Sequence, residues 1–176
     1  MASRSKPPQV APPEPRKRLL IVGDSTGVGT GASTPQTSLA GLVPKTLART
    51  PLWQAIVEAW SDGAALAGSS AGAMAFGEWT LVRERMPGDD RRRYLPALGL
   101  VPRIAVLPHF ETFGHRWVES AIDAAPREDV VLLGVDERTA AIHHRGRWRC
   151  VGAAGVTIIA NGGRGTFGSG EEIEGL

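Results

Sequence analysis

At 176 residues, with 42% hydrophobic and 22% charged residues, the chain has the length of one domain and the composition of a globular one. Its net charge of +2 is mixed along the sequence without an aromatic-basic motif, which argues against a nucleic-acid partner. No run approaches the ~20 apolar residues of a membrane span, and Cys150, the only cysteine, has no intrachain partner for a disulfide or a cysteine metal site.

Residues 1–18 hold five prolines, five basic residues and one acid. With almost nothing to bury, they read as disordered. The basic start runs into prolines where a signal peptide needs an apolar stretch, so a cytoplasmic location is the expectation. Residues 19–22, Leu-Leu-Ile-Val, have the character of a buried strand, and a Gly/Ser/Thr-rich stretch follows. That stretch lacks the Gly-Lys-Ser/Thr of a phosphate loop and reads as a linker. Together, residues 1–40 are expected to be a poorly packed tail, residues 41–160 an ordered α/β domain, and residues 161–176 a polar, glycine-rich mobile end.

Order begins near Gly41. Thr50-Pro51 has the form of a helix start, and Leu52, Trp53, Ile56, Val57 and Trp60 recur at helical spacing until Gly63. Residues 64–67 read as a short strand and residues 71–84 as a helix, with Met74, Trp79 and Leu81 available to pack. The charged run at residues 86–93 reads as a solvated loop; the alternative is that Arg91, Arg92 and Arg93 border an acidic-substrate site. Residues 104–107 and 130–135 are strands, with a helix over 114–125 between them. Residues 139–142, 148–151 and 156–159 are short strands separated by glycine-rich turns. Strand–helix alternation that gives way to hairpins predicts an α/β fold with an antiparallel addition.

Between strand and helix, Gly68-Ser69-Ser70-Ala71-Gly72 fits Gly-x-Ser-x-Gly. This pattern presents a serine on a sharp strand-to-helix turn, with the following amide aimed at a developing oxyanion. Ser70 is therefore the candidate nucleophile. His109 and Glu137 lie at the ends of two other predicted strands, where α/β sheets build their sites. A hydroxyl needs a base to take its proton, histidine titrates in the right range, and a carboxylate can hold the imidazole. The order Ser…His…acid differs from the Ser…acid…His of α/β-hydrolases. Glu111 is a rival acid through His-x-Glu spacing. His143 and His144 fall in a predicted hairpin, where adjacent side chains point to opposite faces, and His115 falls at a helix entrance. No cluster has a metal spacing, and no cofactor is implied. Cys150 reads as a structural thiol.

Three stretches resemble peptidase family S51, which contains dipeptidase E and cyanophycinase: Gly-Ser-Ser-Ala-Gly-Ala-Met at 68–74, Leu-Gly-Leu-Val-Pro with Leu-Pro-His-Phe at 98–110, and Leu-Gly-Val-Asp-Glu-Arg-Thr-Ala at 133–140. The resemblance spans about 51–159 and keeps the motifs in the family's order. It implies a fold similar to class I glutamine amidotransferases: a mostly parallel sheet flanked by helices, here with C-terminal β-hairpins. It also implies a serine-type peptidase acting on small peptides such as aspartyl dipeptides through an acyl-enzyme. Ser70 would be nucleophile, His109 base, Glu137 orienting acid and the Ala71 amide an oxyanion donor. A homodimer is left open. Family members usually begin with additional strands and helices, and a glycine-rich loop before the first helix contributes to the oxyanion hole. The matching loop near Thr37-Ser38-Leu39-Ala40-Gly41 lacks the paired glycines, so the resemblance implies an N-terminal portion that is incomplete or rearranged. The alternative reading is a catalytically impaired remnant or binding module of the same fold.

Overall fold

The computed structural model describes residues 19–24 by backbone alone, together with residues 50–83 and 91–176. The expectations for the rest of 1–49, the linker included, and for residues 86–90 of the charged loop lie outside the described residues. Strand β1 (Leu19–Asp24) pairs in parallel with β2 (Ala65–Ser70), Leu19 opposite Ala65 and Asp24 opposite Ser70. Residues 19–24 are thus sheet rather than poorly packed tail. The strand character of the Leu-Leu-Ile-Val run is borne out, and the wider grouping of residues 1–40 as tail does not hold for it.

Helix α1 (Pro51–Ser61) starts as its sequence predicts, with the Trp53 amide donating to the Thr50 hydroxyl at 3.2 Å and proline at the first position. Its inner stripe is narrower than the periodicity suggests. Among the described residues it buries only Trp53, while Leu52 and Trp60 are 65% and 42% exposed.

Strand β2 turns into helix α2 (Ala71–Phe76), which gives way to strand β3 (Gly77–Arg83) rather than running on to about residue 84. Two features end it. Gly77 lies against the next parallel strand, β5 (Val101–Pro108), so closely that a Cβ there would stand 2.4 Å from the Ile104 carbonyl oxygen. Trp79-Thr80-Leu81-Val82 is the aromatic and β-branched type of run that fits a pleated, buried surface.

Strand β4 (Arg92–Pro96) pairs antiparallel with β3. Arg92, expected on a solvated face, is buried, with its guanidinium carbon 4.1 Å from the centre of the Trp117 ring. Arginine tolerates this placement because its weakly hydrated plane stacks on an aromatic face. Beyond β5 come a 3-10 turn (Gly114–Trp117), helix α3 (Val118–Asp123) and strand β6 (Val131–Val135). Strands β7 (Thr139–His144) and β8 (Arg147–Gly152) form a separate antiparallel hairpin. Strands β9 (Val156–Ala160) and β10 (Gly163–Phe167) form a second hairpin.

The main sheet has the order β10-β9-β6-β5-β3-β4. The α/β class holds, and the sheet is mixed. Parallel pairing links β3 to β5 and β5 to β6 at its centre, and antiparallel strands flank them. Ile104, Ala105, Val106 and Leu107 of β5 are consecutively buried, as befits a strand covered on both faces. The core extends through β6 and β9 to Met74 on α2 and Trp117 and Ala121 around α3.

The C-terminal segment is not a mobile tail. Strand β10 pairs with β9 through an Asn161-Gly162 turn with both φ positive, the geometry of a tight hairpin. Ile173 is 3% exposed within the core, and its amide donates to the Trp148 carbonyl at 2.9 Å. The polar, glycine-rich composition records hairpin turns and an edge strand. No helix among the described residues is long and apolar enough to cross a membrane.

Candidate active site

The site lies where β2, β5 and β6 end. Ser70 is the last residue of β2 and occupies φ 48°, ψ −116°, a backbone conformation that side chains rarely adopt. Close packing makes the turn possible. A Cβ at Gly68 would lie 2.8 Å from both the Gly72 carbonyl carbon and the Phe76 ring. The glycine thus lets α2 fold back on the strand that carries the serine. Ala71, the expected oxyanion donor, opens α2 and is buried, at a position whose amide has no acceptor within the helix.

His109 follows β5 and also has positive φ, at 50°. Its carbonyl accepts the amides of Thr112, Phe113 and Gly114 at 3.2, 3.0 and 3.0 Å, and the Thr112 hydroxyl at 3.1 Å. The chain therefore curls tightly around the histidine backbone. Gly114 permits the curl, since a Cβ there would stand 2.7 Å from the Pro108 carbonyl oxygen. Phe113 stacks on the imidazole with ring centres 5.0 Å apart and planes 23° apart. Sequence reasoning missed this contact, because a phenylalanine four places after a histidine has no signature outside this loop.

The structure brings Ser70, His109 and Glu137 together. The Ser70 hydroxyl lies 3.1 Å from His109 Nε2, and His109 Nδ1 lies 3.1 Å from Glu137 Oε1. The tautomer with its proton on Nδ1 satisfies both bonds: the serine O–H donates to Nε2 and Nδ1–H donates to the carboxylate. Glu111, the rival acid, is elsewhere engaged. Its Oε1 accepts the backbone amide of Glu137 at 2.8 Å.

The Glu111 and Asp136 carboxyl groups are near enough to shift each other's titration. Burial pushes Glu111 up, yet the amides of Glu137 and of Glu111 itself, the Asp136 side chain and the nearby His109 charge hold it below the usual range. Burial raises Asp136, the Gly155 amide opposes this, and the Glu111 carboxyl adds to the rise.

The remaining histidines stand apart. His115 is fixed to the Phe110 carbonyl, 2.9 Å from Nδ1. His143 and His144 end β7 beside the Arg145-Gly146 turn, and the His143 ring lies 5.0 Å from that of Trp148. Cys150 is fully buried, and burial raises its thiol above the ordinary range. It is an unreactive core residue.

The strained serine gives a stability prediction. Ser70→Gly should raise the melting temperature. Strain at such a backbone costs about 1–3 kcal/mol, glycine gives back roughly 0.5–1 in unfolded-chain entropy, and a net gain near ~1 kcal/mol is worth about 2–4 °C in a chain this long. Thermal melts of the two proteins test it, and an unchanged or lower midpoint for the glycine variant contradicts it.

The sequence profile of peptidase family S51 matches residues 42–149, a stretch that contains all three motifs and Ser70, His109, Glu111 and Glu137. Among solved structures, that of a peptidase from an acI-B1 Actinobacterium resembles this chain with a TM-score of 0.62 and 29% sequence identity. The likeness covers 88% of this chain and 58% of that one, so this chain spans little more than half its neighbour's length. No curated protein matches the sequence.

Proposed function

Because the chain belongs to peptidase family S51, we propose that it is a serine-type peptidase that cleaves small peptides, aspartyl dipeptides among them, through an acyl-enzyme on Ser70. The observation that carries this reading is the continuous relay from the Ser70 hydroxyl through His109 to Glu137, with 3.1 Å at each link. These separations are within reach of proton transfer before substrate tightens the site.

In the proposed mechanism the Ser70 oxygen attacks the scissile carbonyl while its proton passes to His109 Nε2. The Glu137 carboxylate holds the Nδ1 proton and stabilises the imidazolium. The Ala71 amide donates to the oxyanion of the tetrahedral intermediate. As the C–N bond breaks, His109 returns the proton to the departing amine. Water then enters, His109 takes its proton, and attack on the acyl-enzyme releases the acid and restores the serine hydroxyl. Phe113 keeps the imidazole plane fixed through the cycle.

The test is turnover of an aspartyl dipeptide panel by the wild type and Ser70→Ala, purified identically. Hydrolysis by the wild type that the alanine variant lacks is the expected result. Equal rates would assign the activity to a contaminant and leave a binding module of the same fold.

A further inference from the structure

The loop after β5 carries the base, and the turn after β6 carries the orienting acid. A carboxyl group outside the Ser70–His109–Glu137 relay, that of Glu111, ties these segments together. The Glu111 side chain accepts the Glu137 amide at 2.8 Å. Beside it, the Asp136 carboxyl accepts the Gly155 amide at 2.9 Å. The Phe110 amide adds a backbone bond to the Val135 carbonyl at 3.1 Å. One side-chain and one backbone hydrogen bond thus cross between the two segments.

This matters because the Glu137 side chain is 50% exposed. Packing does not fix its rotamer, and an ion pair in contact with water is too weak to hold two side chains in one geometry. The carboxylate stays on His109 Nδ1 only if the backbone that carries it is held in place. We propose that Glu111 is a positioning residue: its carboxylate anchors the Glu137 backbone and so keeps the Glu137 side chain on the imidazole. The inference rests on the reading of Ser70, His109 and Glu137 as a triad. It assigns Glu111 a task distinct from that of the acid. The lowered Glu111 titration agrees with it: burial opposes the shift, and the Glu137 amide favours the ionised carboxylate.

The test is the rate at which a fluorophosphonate labels Ser70, read by intact-protein mass spectrometry on the full chain. Labelling needs an activated serine and no identified substrate. Glu111→Ala is expected to slow it by about 10- to 100-fold, the scale of a small misplacement in a catalytic constellation. Glu111→Gln keeps an acceptor oxygen for the Glu137 amide and should recover most of the loss. In a Glu137→Ala background, Glu111→Ala should add little, because its effect passes through Glu137. Glu111 is exposed, so its truncation leaves the core intact, and a melt verifies this. If the alanine variant does not fold, Glu111→Met removes the acceptor at similar length. Wild-type labelling rates in Glu111→Ala, glutamine no better than alanine, or an undiminished loss in the Glu137→Ala background would each overturn the inference alone. A wild type that leaves Ser70 unlabelled would remove the triad reading, and the inference with it.

Discussion

Replacing His109 with alanine is expected to reduce peptide turnover on the order of 10⁴-fold or more, as much as Ser70→Ala, because members of a triad act as a unit. The geometry gives the reason. Among the described residues, Nε2 of His109 is the base within reach of the Ser70 hydroxyl, at 3.1 Å. Without it the serine keeps its proton, and the leaving amine receives none. The double variant should be no worse than either single one. Glu137→Gln should cost about a hundredfold less than the loss of the base, since the imidazole remains but is less well oriented. Steady-state kinetics on one dipeptide, with melting midpoints measured in parallel, test this. Independent, multiplying losses for Ser70→Ala and His109→Ala would mean that the two residues do not work together.

The second large effect is on stability. Leu107 is fully buried in β5, opposite Gly134 of β6, and β5 ends just before His109. Leu107→Ala removes buried methyl groups from a strand packed on both faces and leaves a cavity, at a cost of about 2–5 kcal/mol. For a chain of this length that is roughly 5–20 °C in the melting midpoint. Ile122→Ala, at a 55% exposed site on α3, should shift it far less. A Leu107→Ala midpoint within two or so degrees of wild type would show that β5 is not the centre of the core.

Much of the candidate site's placement was legible because a strand-to-helix turn and strand ends leave marks in the sequence. A serine on a strand-to-helix turn needs glycine where helix and strand touch, and Gly68 records that need in the sequence. His109 and Glu137 each close an apolar run long enough to read as a strand. What escaped were features set by partners distant in sequence. The strand at Gly77–Arg83 was hidden because Met74, Trp79 and Leu81 read as packing residues of one long helix, whereas the close approach of Gly77 to Ile104 and the β-prone run at residues 79–82 end that helix at Phe76. The C-terminal strand was hidden by composition, since an edge strand exposes most of its residues and Ile173 is the one fully apolar side chain there that is buried among the described residues. Glu111 and Glu137 were competing acids on paper. Three dimensions give one the imidazole and the other the amide of its rival.

The most direct test of the triad is the site and rate of covalent capture. After incubation with a fluorophosphonate, peptide mapping of the wild type should show one phosphonyl group, carried on Ser70, and His109→Ala should show almost none over the same interval. Label on another residue, no label at all, or equal labelling of Ser70 in both proteins would contradict an account in which His109 activates Ser70.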